Sequence, residues 1–203
     1  MSKYLFSVDI DELERLAGSL DQSFDLEHDQ RMVDGLNTIV DAVYATARAR
    51  MIAGINLTDD YVKGKMEVSY ASTNGGLSAQ ILAPGGPNYQ TPLGRYLVGE
   101  VTKPSRTGQG TVRAGVEVAV GKGRNVTLMN AWVMPLKRGE QNSGNGLGVF
   151  LRTKYGLIKH RYGPAPYQLF RVAAADLEGA VGETLAERMG NLAHELLQEA
   201  LSK

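Results

Sequence analysis

Apolar residues recur every three or four positions in three stretches of the chain, and this spacing predicts helices. The first stretch covers residues 8–20, where Asp9 is a suitable N-cap and Glu12 follows three residues later, as in a capping box. The second covers residues 31–55 and is rich in alanine, which favours helical structure. The third covers residues 173–201. The chain is therefore expected to begin and end with helices.

Between residues 65 and 162 apolar positions recur at every second residue, which is the pattern of β-strands. Glycine-rich turns separate these strands, and Asn74-Gly75-Gly76 predicts a hairpin. The predicted strands cover residues 66–70, 77–82, 95–101, 111–120, 124–134, 150–154 and 157–161. Thr58 is a suitable cap for a short helix or turn ahead of them. The polar, glycine-rich residues 139–146 are expected to form a loop.

Together these elements predict a single α+β domain, in which an antiparallel β-sheet packs with two N-terminal helices and one long C-terminal helix. The helical part would cover residues 1–60, the sheet residues 65–162 and the last helix residues 173–202. The chain of 203 residues is 43% hydrophobic and 22% charged, which is ordinary for a globular protein. It contains no cysteine, so disulfides and thiolate chemistry are excluded.

The first residues of the chain do not form a signal peptide, because acidic residues follow at once and no apolar core is sustained. No run approaches the roughly 18 apolar residues that a membrane-spanning helix needs. We therefore expect the protein to be made and kept in the cytoplasm, or to be assembled there into something larger.

The net charge of zero conceals a segregation of charge along the chain. Residues 95–171 carry 13 Lys or Arg and 3 Asp or Glu, a net charge of +10. Residues 1–94 have a net charge of −6, and residues 172–203 a net charge of −4. Either the cations lie on solvated strand faces, or the chain has complementary basic and acidic surfaces that meet in a partner or another copy.

Residues able to support catalysis or metal binding are scattered through the sequence. The three histidines lie far apart and have no partner at metal-ligand spacing: His28, His160 and His194. Asp59 and Asp60 are adjacent, so their side chains diverge in regular structure and indicate capping. The Gly121-Lys122-Gly123-Arg124 turn precedes a strand rather than the helix of a phosphate loop. We expect no enzyme, cofactor or metal; an unrecognised active site would need a pocket gathering His160 or His28 with carboxylates.

The segment 148–170 is the most informative part of the chain, because two short apolar and basic runs precede a Gly-Pro-x-Pro corner. The pattern predicts a β-hairpin that serves as a docking element. The predicted partner-contact residues are Arg152, Lys154, Lys159, Arg161, Tyr162, Gly163 and Pro164. Replacing Gly163 and Pro164 should damage assembly more than folding. Alternatively, the cations with His160, Tyr155 and Tyr162 could bind nucleic acid, or the hairpin is simply exposed with long basic side chains over apolar neighbours.

The chain resembles the minor tail protein Z, or tail completion, family of long-tailed phages and prophages. The likeness is spread over most of the chain and is sharpest over about the last 60 residues. The residues that carry it are Val149-Phe150, Lys159-His160-Arg161, Tyr162-Gly163-Pro164-Ala165, Leu169-Phe170 and Ala47-Arg48-Ala49-Arg50. Some members of that family are much more basic overall, whereas the basic excess here is confined to the middle of the chain.

The resemblance implies a structural virion protein, assembled in the host cytoplasm, that completes the head-proximal end of the tail and joins tail to head. Its partners would be further copies of itself in a ring around the DNA channel, commonly six-fold, and the tail terminator, tail-tube and head–neck connector proteins. Contact with DNA would be non-specific, and no membrane or cofactor is implied. The alternative function is a nucleic-acid-binding α+β protein that uses the basic segment 95–171.

Overall fold

The computed structural model describes residues 3–8, 30–74, 77–86, 89–136 and 146–201, and these form an α+β fold as predicted. The described helices are α1 (Gln30–Ala53), α2 (Asp59–Lys63) and α3 (Pro166–Leu201). The described strands are β1 (Lys3–Val8), β2 (Glu67–Ser69), β3 (Ala79–Pro84), β4 (Thr91–Pro92), β5 (Leu97–Pro104), β6 (Thr111–Gly121), β7 (Arg124–Met129), β8 (Ala131–Pro135), β9 (Leu147–Arg152) and β10 (Ile158–Gly163). A 3₁₀-helix, Leu93–Tyr96, joins β4 to β5.

The two long helices, α1 and α3, pack against each other and supply much of the core. The buried side of α1 consists of Met32, Val33, Leu36, Ile39, Val40, Ala47 and Met51. Each large apolar side chain buried in this way contributes about 1.5–3 kcal/mol to stability. The helices approach closely at Gly35, where an added Cβ would lie 2.9 Å from Cδ2 of Leu192. Arg31 and Glu199 form an ion pair of 2.8 Å between the same helices.

The strands are antiparallel, as predicted, but they divide into three sheets rather than one. The strand orders are β1-β3-β2, β5-β6-β7 and β4-β10-β9-β8. The predicted hairpin at residues 66–82 is confirmed, because β2 pairs with β3 through Glu67–Leu82, Val68–Ile81 and Ser69–Gln80. Burial alternates along β3, so one face of its sheet belongs to the core.

The N-terminal segment begins with a strand, which the helical assignment of residues 1–60 did not anticipate. β1 pairs antiparallel with β3 over its whole length, from Lys3–Pro84 to Val8–Ala79. Val8 therefore ends a strand rather than starting the first predicted helix. The remaining residues of that helix, 9–20, lie outside the described residues. The second predicted helix is confirmed as α1, and the Thr58 hydroxyl caps α2 by accepting the Tyr61 N–H at 3.3 Å.

The predicted strand at residues 124–134 is wrong, because it is two strands in different sheets. Asn130 separates β7 from β8 with a φ of 59°, a left-handed conformation that asparagine tolerates better than most residues. Its N–H donates to the carbonyl of Ala114 at 2.8 Å. The chain therefore leaves the β5-β6-β7 sheet at Asn130 and enters the β4-β10-β9-β8 sheet. The predicted loop at 139–146 lies, except for its last residue, outside the described residues.

Two predicted boundaries are also corrected by local packing. The strand expected to start at Arg95 starts at Leu97, because Arg95 and Tyr96 belong to the 3₁₀-helix. The last helix was expected to start at residue 173 but starts at Pro166. Proline suits the first helical position because that N–H has no partner inside the helix.

The start of α3 carries half of a capping box. The N–H of Ala165 donates to Oε1 of Gln168 at 3.0 Å, and the carbonyl of Ala165 accepts from Gln168 and Leu169. These bonds satisfy backbone groups that a helix end otherwise leaves open. Seven residues that the apolar spacing left outside the helix are therefore part of it.

The segment after α1 ties the helices to the β5-β6-β7 sheet. Ile55 forms an antiparallel bridge with Gly121 at the end of β6. The side-chain amide of Asn56 donates to the carbonyl of Ala119 at 2.8 Å, and Lys122 N–H donates to the carbonyl of Gly54 at 3.1 Å. The turn at residues 121–124 is thus a structural contact with the end of α1.

Candidate partner-contact hairpin

The hairpin of β9 and β10 is held in register up to its tip. Its pairs run from Val149–Arg161 through Phe150–His160 to Arg152–Ile158. Thr153 closes the turn, since its N–H donates to the carbonyl of Leu157 at 2.8 Å and its carbonyl accepts the Gly156 N–H at 2.9 Å. Gly156 has a φ of 82°, which glycine adopts at little cost. The predicted hairpin is confirmed, with β9 starting three residues earlier than expected.

Apolar side chains project into solvent at the tip of this hairpin. Tyr155 is 77% exposed, Leu157 61% and Ile158 54%. The Lys154 ammonium lies 4.9 Å from the centre of the Tyr155 ring, and Arg152 is exposed next to the turn. Within the described part of the chain these apolar residues have no cover, and cations surround them.

The structure separates the predicted contact residues into three groups. Arg152 and Lys154 lie at the tip, and the pairing of Arg152 with Ile158 places it on the same face as His160 and Tyr162.

Lys159 and Arg161 are exposed on the other face of β10, because successive strand residues point to opposite sides. Gly163 and Pro164 form the base of the hairpin, far from the tip, and are half-buried.

A stack of aromatic rings crosses the three strands below the tip. The ring centres of Trp132 and Phe150 are 6.3 Å apart, those of Phe150 and His160 4.7 Å, and those of His160 and Tyr162 4.2 Å. Cross-strand pairs of this kind stabilise a sheet by about 0.2–1 kcal/mol each. Sequence reasoning missed the stack, although the alternation on β9 and β10 was a signal for Phe150, His160 and Tyr162.

Gly148 makes room for this stack. A Cβ on residue 148 would lie 2.7 Å from Cε2 of Phe150 and 2.9 Å from Nε2 of His160. Real Cβ atoms do not approach other heavy atoms so closely, so any larger residue would displace one of the rings. The residue next to the predicted Val149-Phe150 pair therefore sets the position of the rings.

His160 belongs to the stack rather than to the exposed cations. Burial lowers the pKa of His160 from its ordinary value of 6.5, because the charged form is less well solvated. Its buried Nε2 has no hydrogen-bond partner among the residues that the structure describes. At neutral pH the ring is therefore uncharged, and the basic run Lys159-His160-Arg161 supplies two cations.

Gly163 has a packing role at the base of the hairpin that its sequence context did not reveal. It pairs with Thr91 of β4, and the buried ring of Tyr96 lies against it. A Cβ on residue 163 would lie 3.2 Å from Cδ2 and Cζ of Tyr96, and closer still to Cε2. Replacing Gly163 should therefore also disturb the fold, because the ring leaves no space for a methyl group; whether assembly suffers more stays a prediction.

The other residues considered for catalysis or metal binding have structural partners or lie far from one another. Asp59 forms an ion pair with Arg48, and His194 hydrogen-bonds Gln198 at 3.0 Å. His28 lies outside the described residues. No group of three His, Asp or Glu side chains close enough to hold a metal ion occurs within the described ranges. None of the helices described there is long and apolar enough to cross a bilayer.

Neither a family model, nor a curated protein, nor a solved structure matches this chain. The likeness to the tail completion family therefore rests on its sequence motifs alone, chiefly those between Val149 and Phe170. That likeness and the exposed residues of the hairpin are the two indications of function.

Proposed function

We propose that the protein is a structural component of a long-tailed phage virion, which completes the head-proximal end of the tail and joins tail to head. In this role it forms a ring around the DNA channel and contacts tail terminator, tail-tube or head–neck connector proteins. The observation that carries the proposal is the hairpin tip, where Tyr155, Leu157 and Ile158 are exposed beside Arg152 and Lys154. Exposed apolar groups with adjacent cations are typical of protein interfaces.

The support beneath the tip favours a binding role. The Phe150–His160 stack and the closed turn hold the hairpin in one conformation before any partner arrives. Binding then loses less conformational entropy than it would with a flexible loop. A rigid hairpin with uncovered apolar residues is what an assembly contact needs.

The charge of the hairpin indicates the chemistry of its partner. Arg152, Lys154 and Lys159 are exposed within a few residues of one another along the chain. Cations of this density steer association toward an acidic surface and set its register. The apolar residues between them favour an acidic protein surface with apolar patches over a purely charged one.

Complementation of a phage that lacks this gene tests the proposal. Leu157→Asp should leave heads and tails unjoined in electron micrographs, since it places a carboxylate in the contact. Val98→Asp is the matched control, because Val98 is a comparably exposed valine on β5, away from the hairpin. The free energy of unfolding of both variants should lie within about 0.5 kcal/mol of that of the wild type.

Mass spectrometry of purified particles provides the second measurement. The proposal requires the protein in the virion. Its absence from particles, or normal numbers of joined particles without the gene, would refute the proposed role.

A second candidate function is nucleic-acid binding, which one observation favours. The exposed Tyr155 ring next to Lys154 could stack on a base while Arg152 contacts a phosphate. Binding to short DNA or RNA should then weaken with salt, and alanine at the exposed cations should abolish it. The four substitutions are made at Arg152, Lys154, Lys159 and Arg161. Unchanged binding after them would remove this candidate.

A further inference from the structure

An open cleft lies where β6, β8 and the end of β9 meet, and its volume is about 520 Å³. Its lining includes two guanidinium groups, an indole and two neutral polar side chains: Arg113, Arg152, Trp132, Asn130 and Thr153. The cleft exists because the chain turns at Asn130 from one sheet into the other. We call these five residues the basic cleft.

The basic cleft has unused capacity to bind an anion. Arg113 forms an ion pair through its Nε with Oε2 of Glu100, 2.9 Å away. The terminal nitrogens of its guanidinium are therefore left to donate to an anion. The Arg152 side chain is exposed and makes no hydrogen bond or ion pair with any described residue. Two guanidiniums and one carboxylate leave a charge of about +1, which suits a carboxylate side chain.

The rim of the basic cleft indicates a protein ligand rather than nucleic acid. The exposed Ile158 pairs with Arg152 across the hairpin, so the two side chains lie on the same face. Arg152 therefore has an uncovered apolar neighbour at the rim. Phosphodiesters gain nothing from such a neighbour, whereas an acidic segment with an apolar side chain would cover both.

One exposed face of α3 has the complementary chemistry. Val172, Asp176, Glu183 and Glu187 lie within about 60° of one another around the helix, given 3.6 residues per turn. All four are exposed, and Val172 is 61% accessible. The three carboxylates form no ion pair within the described residues. We call these four residues the acidic stripe; its carboxylates span about 16 Å at 1.5 Å per residue.

We propose that the basic cleft of one copy binds the acidic stripe of a second copy. The two surfaces are different, so the contact is head-to-tail, and an open chain of copies keeps one unoccupied cleft and one unoccupied stripe until a ring closes. The inference rests on the proposed assembly role for its biological setting, but purified protein is enough to test it. The cleft would take Glu183 or Glu187 on Arg152, with Val172 against the apolar rim.

Complementary charge reversal tests the contact. Arg152→Glu destroys the cleft but keeps the stripe, and Glu183→Lys with Glu187→Lys does the reverse. The affinity of self-association should fall by about tenfold or more in each variant alone, as for other charge pairs at interfaces. Mixed together, they should associate again in a 1:1 ratio, because the unchanged cleft of one variant meets the unchanged stripe of the other and the two reversed surfaces are also complementary. Sedimentation velocity at low salt measures both results.

Two features of the chain sharpen this experiment. Trp132 is the only tryptophan of the sequence and lines the cleft, so its fluorescence should change when the two variants associate. Arg124→Glu, at the opposite end of β7 from the cleft, and Glu195→Lys, off the stripe on α3, are the matched charge reversals. Both should associate like the wild type.

Three outcomes overturn the inference. They are a wild type that stays monomeric, variants that each associate like the wild type, and a mixture of the two variants that does not associate. Quenching of Trp132 by short DNA that Arg152→Glu abolishes would assign the cleft to nucleic acid instead. Head-to-tail association of a protein absent from virions would refute the proposed function alone, and a virion protein that is monomeric in solution would refute this contact alone.

Discussion

Gly163 lies against the ring of Tyr96, so that a Cβ on residue 163 would approach Cδ2 and Cζ to 3.2 Å and Cε2 still more closely. The contact joins the end of β10 to the 3₁₀-helix, just before α3 begins. Burial raises the pKa of the Tyr96 phenol, since the ring is enclosed at this junction. The corner that the sequence pattern predicted as a partner contact is thus also a point where the fold is closely packed.

Gly163→Ala should lower the free energy of unfolding by about 1–3 kcal/mol, the usual effect of adding a methyl group to a filled core. Urea unfolding followed by circular dichroism measures it. Gly179→Ala is the control, because nothing lies within 4 Å of a Cβ at that exposed position of α3. It should raise stability by about 0.5–1 kcal/mol through helix propensity. Equal stability of Gly163→Ala and wild type would contradict the packing argument.

Phe150→Leu should remove the centre of the aromatic stack while keeping an apolar side chain on β9. Two ring contacts are lost, so stability should fall by about 1–2 kcal/mol. The fluorescence and near-UV circular dichroism of Trp132 should change with it. Leu157→Ala, at the exposed tip, should leave both the spectra and the unfolding midpoint as they are. An unchanged Trp132 signal in Phe150→Leu would show that the two rings do not interact.

Stability should depend on pH through His160. The pKa of His160 is lowered in the folded protein, so the unfolded chain binds the proton more readily. The contribution of His160 to stability is therefore complete above about pH 6.5. It should be lost as the pH falls from 6.5 through the folded pKa. Urea unfolding between pH 7.5 and 5.5 would show the loss.

His160→Gln provides the comparison for that titration, because carboxylates and the other two histidines contribute equally to both proteins. The difference in stability between wild type and variant should shrink as the pH falls. A difference that grows toward acid would mean that His160 gains a proton on folding.

Gln168→Ala should weaken the start of α3 by removing the acceptor of the Ala165 N–H. The expected loss is about 0.5–2 kcal/mol, as for other capping residues. Glu178→Ala on an exposed face of the same helix is the control and should change stability little. Hydrogen exchange at the first turn of α3 should accelerate in Gln168→Ala alone. Equal protection in both variants would show that Pro166 holds the helix start by itself.

Local periodicity was enough to predict the elements whose pattern lies within their own residues. The spacing of Leu36, Val40 and Ala47 predicted α1 because one face of a helix must be apolar to bury itself. The sequence Asn74-Gly75-Gly76 and the glycine at position 156 predicted two hairpins, since such residues are typical of tight turns. The charge segregation is likewise readable from the sequence, because it depends only on residue order.

Contacts between distant residues decided the rest. β1 is a strand because β3, about 75 residues away, offers it hydrogen bonds, and no local pattern contains that information. The break at Asn130 accompanies a hydrogen bond to Ala114 of β6, whereas the early start of α3 rests on a local cap between Ala165 and Gln168 that apolar spacing does not reveal. The sequence thus determined the charged segments and most of the helical and extended ones. Only the tertiary structure decided that Gly163 lies against Tyr96, that His160 is uncharged within a ring stack, and that Arg113 and Arg152 share a cleft, because these depend on how strands far apart in sequence meet.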